Sequence, residues 1–206
     1  MYVPRHFAEE NPEGLVELVR ENNFGALVTV IDGAPYATHL PFLISFDDND
    51  GIVLSGHVAK QNPHWKFLEQ GRSMAIFQGP HAYISPTWYN TPGVPTWNYA
   101  AVHLSGKPNL VTDQSDIYDI VIALSDQHEA DNPTPWVPDF SDSMLSAIVG
   151  FTMKAELVEG KYKLSQNRPE QDKDRLIDAL KSPFGQPPSE NQVGIAKLMK
   201  AAFKNT

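Results

Sequence analysis

Two apolar, β-rich runs, FGALVTVI (24–31) and PYATHLPFLI (35–44), stand on either side of Asp32-Gly33, and that junction constrains the fold more than any other stretch. A two-residue Asp-Gly connection supplies the positive backbone angles of a tight turn, so the runs on either side must pair antiparallel. Further strand-like segments follow at short intervals: IVLSGH (52–57), SMAIFQG (73–79), AYIS (82–85), VPTWNYAAVHLSG (94–106) and FTMKAELVE (151–159). Strands clustered in this way favour a closed or split antiparallel barrel over a parallel sheet, which would need a helical crossover between neighbouring strands.

Helices punctuate that pattern. Asn11-Pro12 reads as a cap with proline at the first helical position, and Leu15, Leu18 and Val19 form the apolar stripe behind it. Asn62-Pro63 repeats the signal. From Thr112 the period becomes helical, with Ile117, Ile120, Val121 and Leu124 on one face. DNPTPWVPDFSD (131–142) reads as a loop, and SMLSAIVG as a helical turn leading into the last strand. Pro169 opens one late helix, and Ser189 with Gln192 forms a capping box for another. The expected fold is α+β and mainly β: a split barrel over 1–160 with peripheral helices, and a helical extension over 161–206 on the same domain.

Composition removes several chemistries. The chain has no Cys, which excludes disulfides, thiolate catalysis, zinc-thiolate sites and iron-sulfur clusters. Its 206 residues carry a net charge of -9, a poor match to nucleic-acid phosphates, so direct DNA binding is not expected. The basic residues concentrated after Lys154 are interleaved with Glu170, Asp172, Asp174 and Asp178, as on a solvated helix face. There is no apolar leader at the start and no window approaching a membrane span, so a soluble cytoplasmic protein is expected.

The segment GPHAYISPTWYNTPGVPTWNYAAVH (79–103) has no Asp, Glu, Lys or Arg. Within it, strand alternation sends Trp97, Tyr99 and His103 to one face and Thr96, Asn98 and Val102 to the other. Taken singly, Trp97 and Tyr99 read better as core; the company of recurring histidines lets them read as apolar walls for a flat ligand. Histidine recurs as His39, His57 and His103 beside small residues that leave backbone accessible, as the rim of a heteroaromatic site requires. No HxH or HExxH spacing supports a metal, and neither GxxxxGK[ST] nor GxGxxG occurs. A phosphate has one candidate cradle in Lys60, Gln61 and Asn62 at a helix start, although Lys60 also reads as a solvated loop lysine and Asn62 as a cap. KLSQNR (163–168) is a second polar segment, a helix start or the edge of a site.

Taken together, THLPF (38–42), GHVAKQNPHW (56–65), FQGPHAYISPTWY (77–89), VPTWNYAAVH (94–103) and KLSQNR resemble the successive signatures of the PaiB family. The resemblance implies an FMN-binding split barrel like that of pyridoxamine phosphate oxidases and flavin reductases. It also implies a homodimer with the flavin at the subunit interface, and a role as a negative transcriptional regulator. By position, Thr38, His39, Leu40 and Pro41 would pass the isoalloxazine edge, and Gly56, His57, Lys60 and Asn62 would lie around the ribityl phosphate, with Arg168 or Arg72 as further cations. Trp97, Asn98 and Tyr99 would complete the pocket, with Tyr83 and Ser85 from the second subunit. Lys163, Gln166 and Asn167 match the family without an assigned role. An FMN-dependent oxidoreductase acting on a small aromatic or nicotinamide substrate is the alternative function, with His57 or His103 as proton donor. An exposed histidine also leaves a haem-binding variant of the barrel open.

Overall fold

The computed structural model describes residues 1–204. Its strands are β1 Ala8–Glu9, β2 Phe24–Ile31, β3 Ala34–Pro41, β4 Leu43–Phe46, β5 Ile52–Ala59, β6 Ser73–Ile84, β7 Thr96–Gly106, β8 Pro108–Val111, β9 Ile148–Lys154 and β10 Leu157–Lys163. The α-helices are α1 Pro12–Glu21, α2 Gln114–Glu129, α3 Asp142–Leu145, α4 Glu170–Lys181 and α5 Glu190–Lys204. The chain divides into two compact units: residues 1–18, 78–102 and 159–206 form the first, and 19–77 with 103–158 the second. Among the described residues, no helix is long and apolar enough to cross a membrane.

In the second unit, β2 and β3 pair antiparallel from Phe24 opposite Pro41 to Ile31 opposite Ala34. The turn between them has φ of 51° at Asp32 and 80° at Gly33, the left-handed pair that the Asp-Gly signal predicts. On its other side β2 pairs with the start of β6, and β3 ends the sheet. A second sheet has the order β4-β5-β9-β8. The core holds Phe42 edge-on to Phe77 and Phe151, with ring centroids 5.1 and 6.0 Å apart, and all three rings are fully buried. Helix α2 packs Ile117 and Val121 against Leu145.

In the first unit, β1, β10, β7 and β6 are successive neighbours. Ile84, Trp88 and Leu164 meet Leu176 and Leu180 of α4 and Ile195 and Met199 of α5 in one cluster. The capping box closes as expected: Ser189 N donates to Gln192 Oε1 at 2.8 Å and Gln192 N to Ser189 Oγ at 3.3 Å.

The structure differs from the sequence-based expectation at three strands. PYATHLPFLI is two strands in different sheets, because the chain leaves β3 after Pro41 so that Phe42 can enter the core. FTMKAELVE likewise breaks between β9 and β10, where Ala155 N donates to Ile52 O and Glu156 N to Ser105 O, both at 2.8 Å. SMAIFQG and AYIS are instead one continuous strand, β6, which runs through Pro80.

Candidate functional site

The cap residue Asn62 organises the polar end of the second unit. It opens the 3-10 helix Pro63–Gln70, and its Oδ1 accepts His64 N at 3.0 Å and the Tyr36 hydroxyl at 3.2 Å. Its Nδ2 donates to Thr38 Oγ1 at 3.0 Å. From Thr38 the chain of contacts turns inward to His64 Nδ1 at 2.8 Å, from His64 Nε2 to Thr29 Oγ1 at 2.8 Å, and from Thr29 to Ser73 Oγ at 2.6 Å. His64 is fully buried, and that burial holds its imidazole below the ordinary histidine value. Thr38 and Asn62 are thus brought together, joined by Tyr36 and His64. Sequence reasoning did not select those two; His64 lies within NPHW, where only its proximity to the cap marked it.

The other expected residues of this unit separate into distinct places. His39 lies opposite Ala26, with its ring 6.3 Å from Phe24. Leu40 is buried, and a Cβ on Gly56 would lie 2.9 Å from Leu40 Cδ1 and 3.2 Å from Phe151 Cζ, so Gly56 permits close packing. His57 and Pro41 line a cavity of about 320 Å³ with His128, Glu129 and Trp136. Burial lowers the His57 pKa, and its Nδ1 has no hydrogen-bond partner among the described residues. Lys60 borders a different cavity, of about 200 Å³, beside Trp65. Its Nζ is 3.5 Å from Ser146 O, and Lys60 makes no ion pair among the described residues. Arg72, by contrast, is paired with Glu156.

In the first unit, Trp97 is 51 % exposed, so it is not core. Its ring lies 5.5 Å from His81 and 6.3 Å from Tyr83. Tyr99 carries the Lys161 ammonium 5.3 Å above its ring. Asn98 points the opposite way and is fully buried, accepting Ser165 Oγ at 3.1 Å and donating to Met199 Sδ at 3.6 Å. Ser85 caps a single 3-10 turn, accepting Thr87 N at 3.3 Å. Both are occupied by internal bonds.

FMN presents a line of alternating donors and acceptors along one ring edge, with apolar ring faces and a terminal phosphate. The outer edge of β3, a sheet-ending strand whose backbone groups alternate in the same way, fits that edge. The hydroxyl and amide groups of Tyr36, Thr38 and Asn62 lie beside it. No group of three or more His, Asp or Glu side chains among the described residues is arranged to hold a metal.

The chain matches the family described as "Putative FMN-binding domain" over residues 1–156. The protease synthase and sporulation protein PAI 2 of Bacillus subtilis strain 168 is 40% identical over 209 residues, covering 99% of each chain. The uncharacterized protein AN0679 of Emericella nidulans is 30% identical, over 88% of this chain and 91% of that one. Among solved structures, the flavocytochrome Anf3 of Azotobacter vinelandii matches with a TM-score of 0.65 at 16% identity, over 83% of this chain and 77% of that one. The FAD and haem binding protein of Mycobacterium smegmatis gives 0.64 at 16%, over 83% and 79%. At such identities the likeness shows the fold, the mainly β split barrel of flavin-binding proteins with peripheral helices.

Proposed function

This chain belongs to the PaiB family of FMN-binding proteins, and from that premise we propose that it is a homodimeric flavoprotein and negative transcriptional regulator whose FMN sits against the outer edge of β3. The reading rests on the hydrogen-bonded set Tyr36, Asn62, Thr38 and His64 beside that edge. Thr38 and Asn62 orient the ring edge; His64, held on both nitrogens, fixes Thr38. Lys60, exposed and without an ion pair among the described residues, lies close in sequence to Asn62 and offers charge to a phosphate that carries about -1.5 to -2 at neutral pH. When bound, FMN supplies electron transfer that none of these side chains can perform.

The dimer reading is supported by one face of the β2-β3-β6 sheet. Phe24 and Val30 are each 67 % exposed there, and Ala26 and Val28 stand between them, opposite Ile76 and Met74. Across β3 the same face carries Pro35, Ala37 and His39. A face so apolar and so poor in charge is suited to a second copy of itself. Regulation then operates through the flavin or a protein partner, since the net charge of -9 disfavours direct contact with DNA.

A second reading, an FMN-dependent oxidoreductase, is favoured by one observation: His57 lines the 320 Å³ cavity that Pro41 also lines, and its buried Nδ1 has no hydrogen-bond partner among the described residues. There it would donate or accept a proton on a small aromatic substrate. Fluorescence titration of FMN into the purified protein tests the flavin site. Saturable quenching near one FMN per chain is expected; folded protein that binds neither FMN nor riboflavin at micromolar concentration would refute it. NADH- or NADPH-driven flavin reduction separates the enzyme from the regulator.

A further inference from the structure

KLSQNR (163–168) forms the end of β10 and the turn beyond it. Lys163, Ser165 and Asn167, with Arg168, line a cavity of about 240 Å³ in the first unit, backed by Phe7 and Tyr89. At roughly 30 Å³ per water, that volume holds about eight waters. It suits the head group of a ligand rather than a whole flavin.

Positive charge gathers here, and Asp172 is a carboxylate whose charge acts on it from beyond ion-pair distance. Lys163 Nζ donates to Thr96 Oγ1 and Trp97 O, each at 2.6 Å, which leaves its third proton available. Arg168 lies 4.1 Å over the Tyr89 ring and donates to Pro92 O at 3.1 Å, with its other N–H groups left for a ligand. Behind them Lys161, only 8% exposed, donates to Tyr2 O at 2.9 Å. Among the described residues none of the three makes an ion pair. The carboxylate whose charge acts on Arg168, Asp172, is already engaged by Asn90 N at 2.7 Å and by Thr91 Oγ1 at 2.5 Å. Burial, then Lys161 and Arg168, push the Lys163 ammonium below its usual range. Grouped cations that repel one another are costly in a chain with 25 acidic and 16 basic residues, where carboxylates are plentiful.

The backbone adds a separate sign. Ser165 has φ of 66°, in the left-handed region that a serine rarely occupies, and it is held there on the cavity wall by its bond to Asn98 Oδ1. Strain kept at a cavity wall is a mark of a functional position.

We propose that this cavity binds a small oxyanion, a phosphate monoester or a carboxylate, with Lys163 and Arg168 as its charged ligands and the Asn167 amide as a further donor. The residues that line the site all lie in the first unit. The same chemistry is carried by the phosphate of FMN and by a separate small anion, and the two can be told apart.

Calorimetric titration of the full-length protein with inorganic phosphate and phenyl phosphate is expected to show saturable binding that weakens at least tenfold in Lys163→Met and in Arg168→Gln. Lys163→Met also removes bonds to Thr96 and Trp97, so Arg168→Gln carries the test if the lysine variant does not fold. If the variants lose tenfold in FMN affinity and nothing in riboflavin affinity, the anion is the flavin's phosphate. If FMN and riboflavin are unaffected while phenyl phosphate is lost, it belongs to a second ligand. Equal anion affinity in wild type and Arg168→Gln overturns the proposal. So does the absence of any saturable anion binding together with an unchanged ratio of FMN to riboflavin affinity. A failed flavin reading shows differently, as no riboflavin binding at all.

Discussion

His64 Nδ1 and Thr38 Oγ1 stand 2.8 Å apart, and the contact makes a fully buried imidazole the middle link of a hydrogen-bond chain from Ser73 to Tyr36. Asn62 already donates to Thr38, so the threonine hydroxyl is free to donate to Nδ1, and Nε2 then donates to Thr29. Every bond is satisfied with a neutral ring. A second proton on His64 would face the Thr38 hydroxyl and oblige it to turn its own proton elsewhere.

Stability is therefore expected to fall on mild acidification. Burial holds His64 and His57 below the usual 6.5, so the unfolded chain takes up protons where the folded one does not. The stabilisation is complete above that value and is lost progressively as pH falls toward the folded-state pKa values, by at most about 1.4 kcal/mol per pH unit per histidine. Asp47, Asp113, Glu129, Asp172 and Asp178 are held below 3.8 or 4.5, so their contributions disappear only at lower pH. Thermal melts from about pH 8 to about pH 5 should decline, and less steeply in His64→Gln. A flat wild-type profile would contradict the neutral buried ring.

Phe42→Ala should destabilise the fold by about 3–5 kcal/mol, the cost of emptying a large core site. Its ring is fully buried and touches Phe77 and Phe151, two strands that a smaller side chain leaves unfilled. Denaturant midpoints measure the loss; a cost under about 1 kcal/mol would mean the site collapses around the cavity.

What the sequence revealed was local. The Asp32-Gly33 turn, the Asn62 cap and the Ser189 capping box each involve residues a few positions apart, and each folds as its spacing implies. The break after Pro41 was hidden because LPFLI (40–44) stays apolar through it; the signal is the distant Phe77 and Phe151, against which Phe42 packs. Alternation in β7 showed two faces but not which is inward. Hydrophobicity pointed to Trp97, yet Asn98, Ala100, Val102 and Leu104 are the buried set. His64 was missed for the same reason, since its role depends on Thr29, 35 residues earlier.

The apolar sheet face gives a direct test of assembly. Val30 is 67 % exposed, so Val30→Glu alters the surface without disturbing the core. If two copies meet there, a carboxylate opposite its symmetry mate and desolvated should weaken the dimer by at least about tenfold, or about 1.4 kcal/mol. Sedimentation velocity over a concentration series reads this as a shift toward monomer. An unchanged dimer would place the interface elsewhere, and a wild-type monomer would remove it.

Lys60 separates phosphate recognition from ring recognition. Its ammonium is exposed and makes no ion pair among the described residues, and its 3.5 Å contact with Ser146 O is too long to anchor it firmly. Lys60→Met should therefore leave the melting temperature nearly unchanged. If it faces the phosphate, losing one charge-assisted bond weakens FMN by about 10-fold or more, while riboflavin, which has no phosphate, binds as before. Thr38→Val, which removes a ring-edge hydroxyl, should weaken both ligands alike. Equal loss of FMN and riboflavin in Lys60→Met would point to a general disturbance of the loop, and no loss of either would move the phosphate away from Lys60.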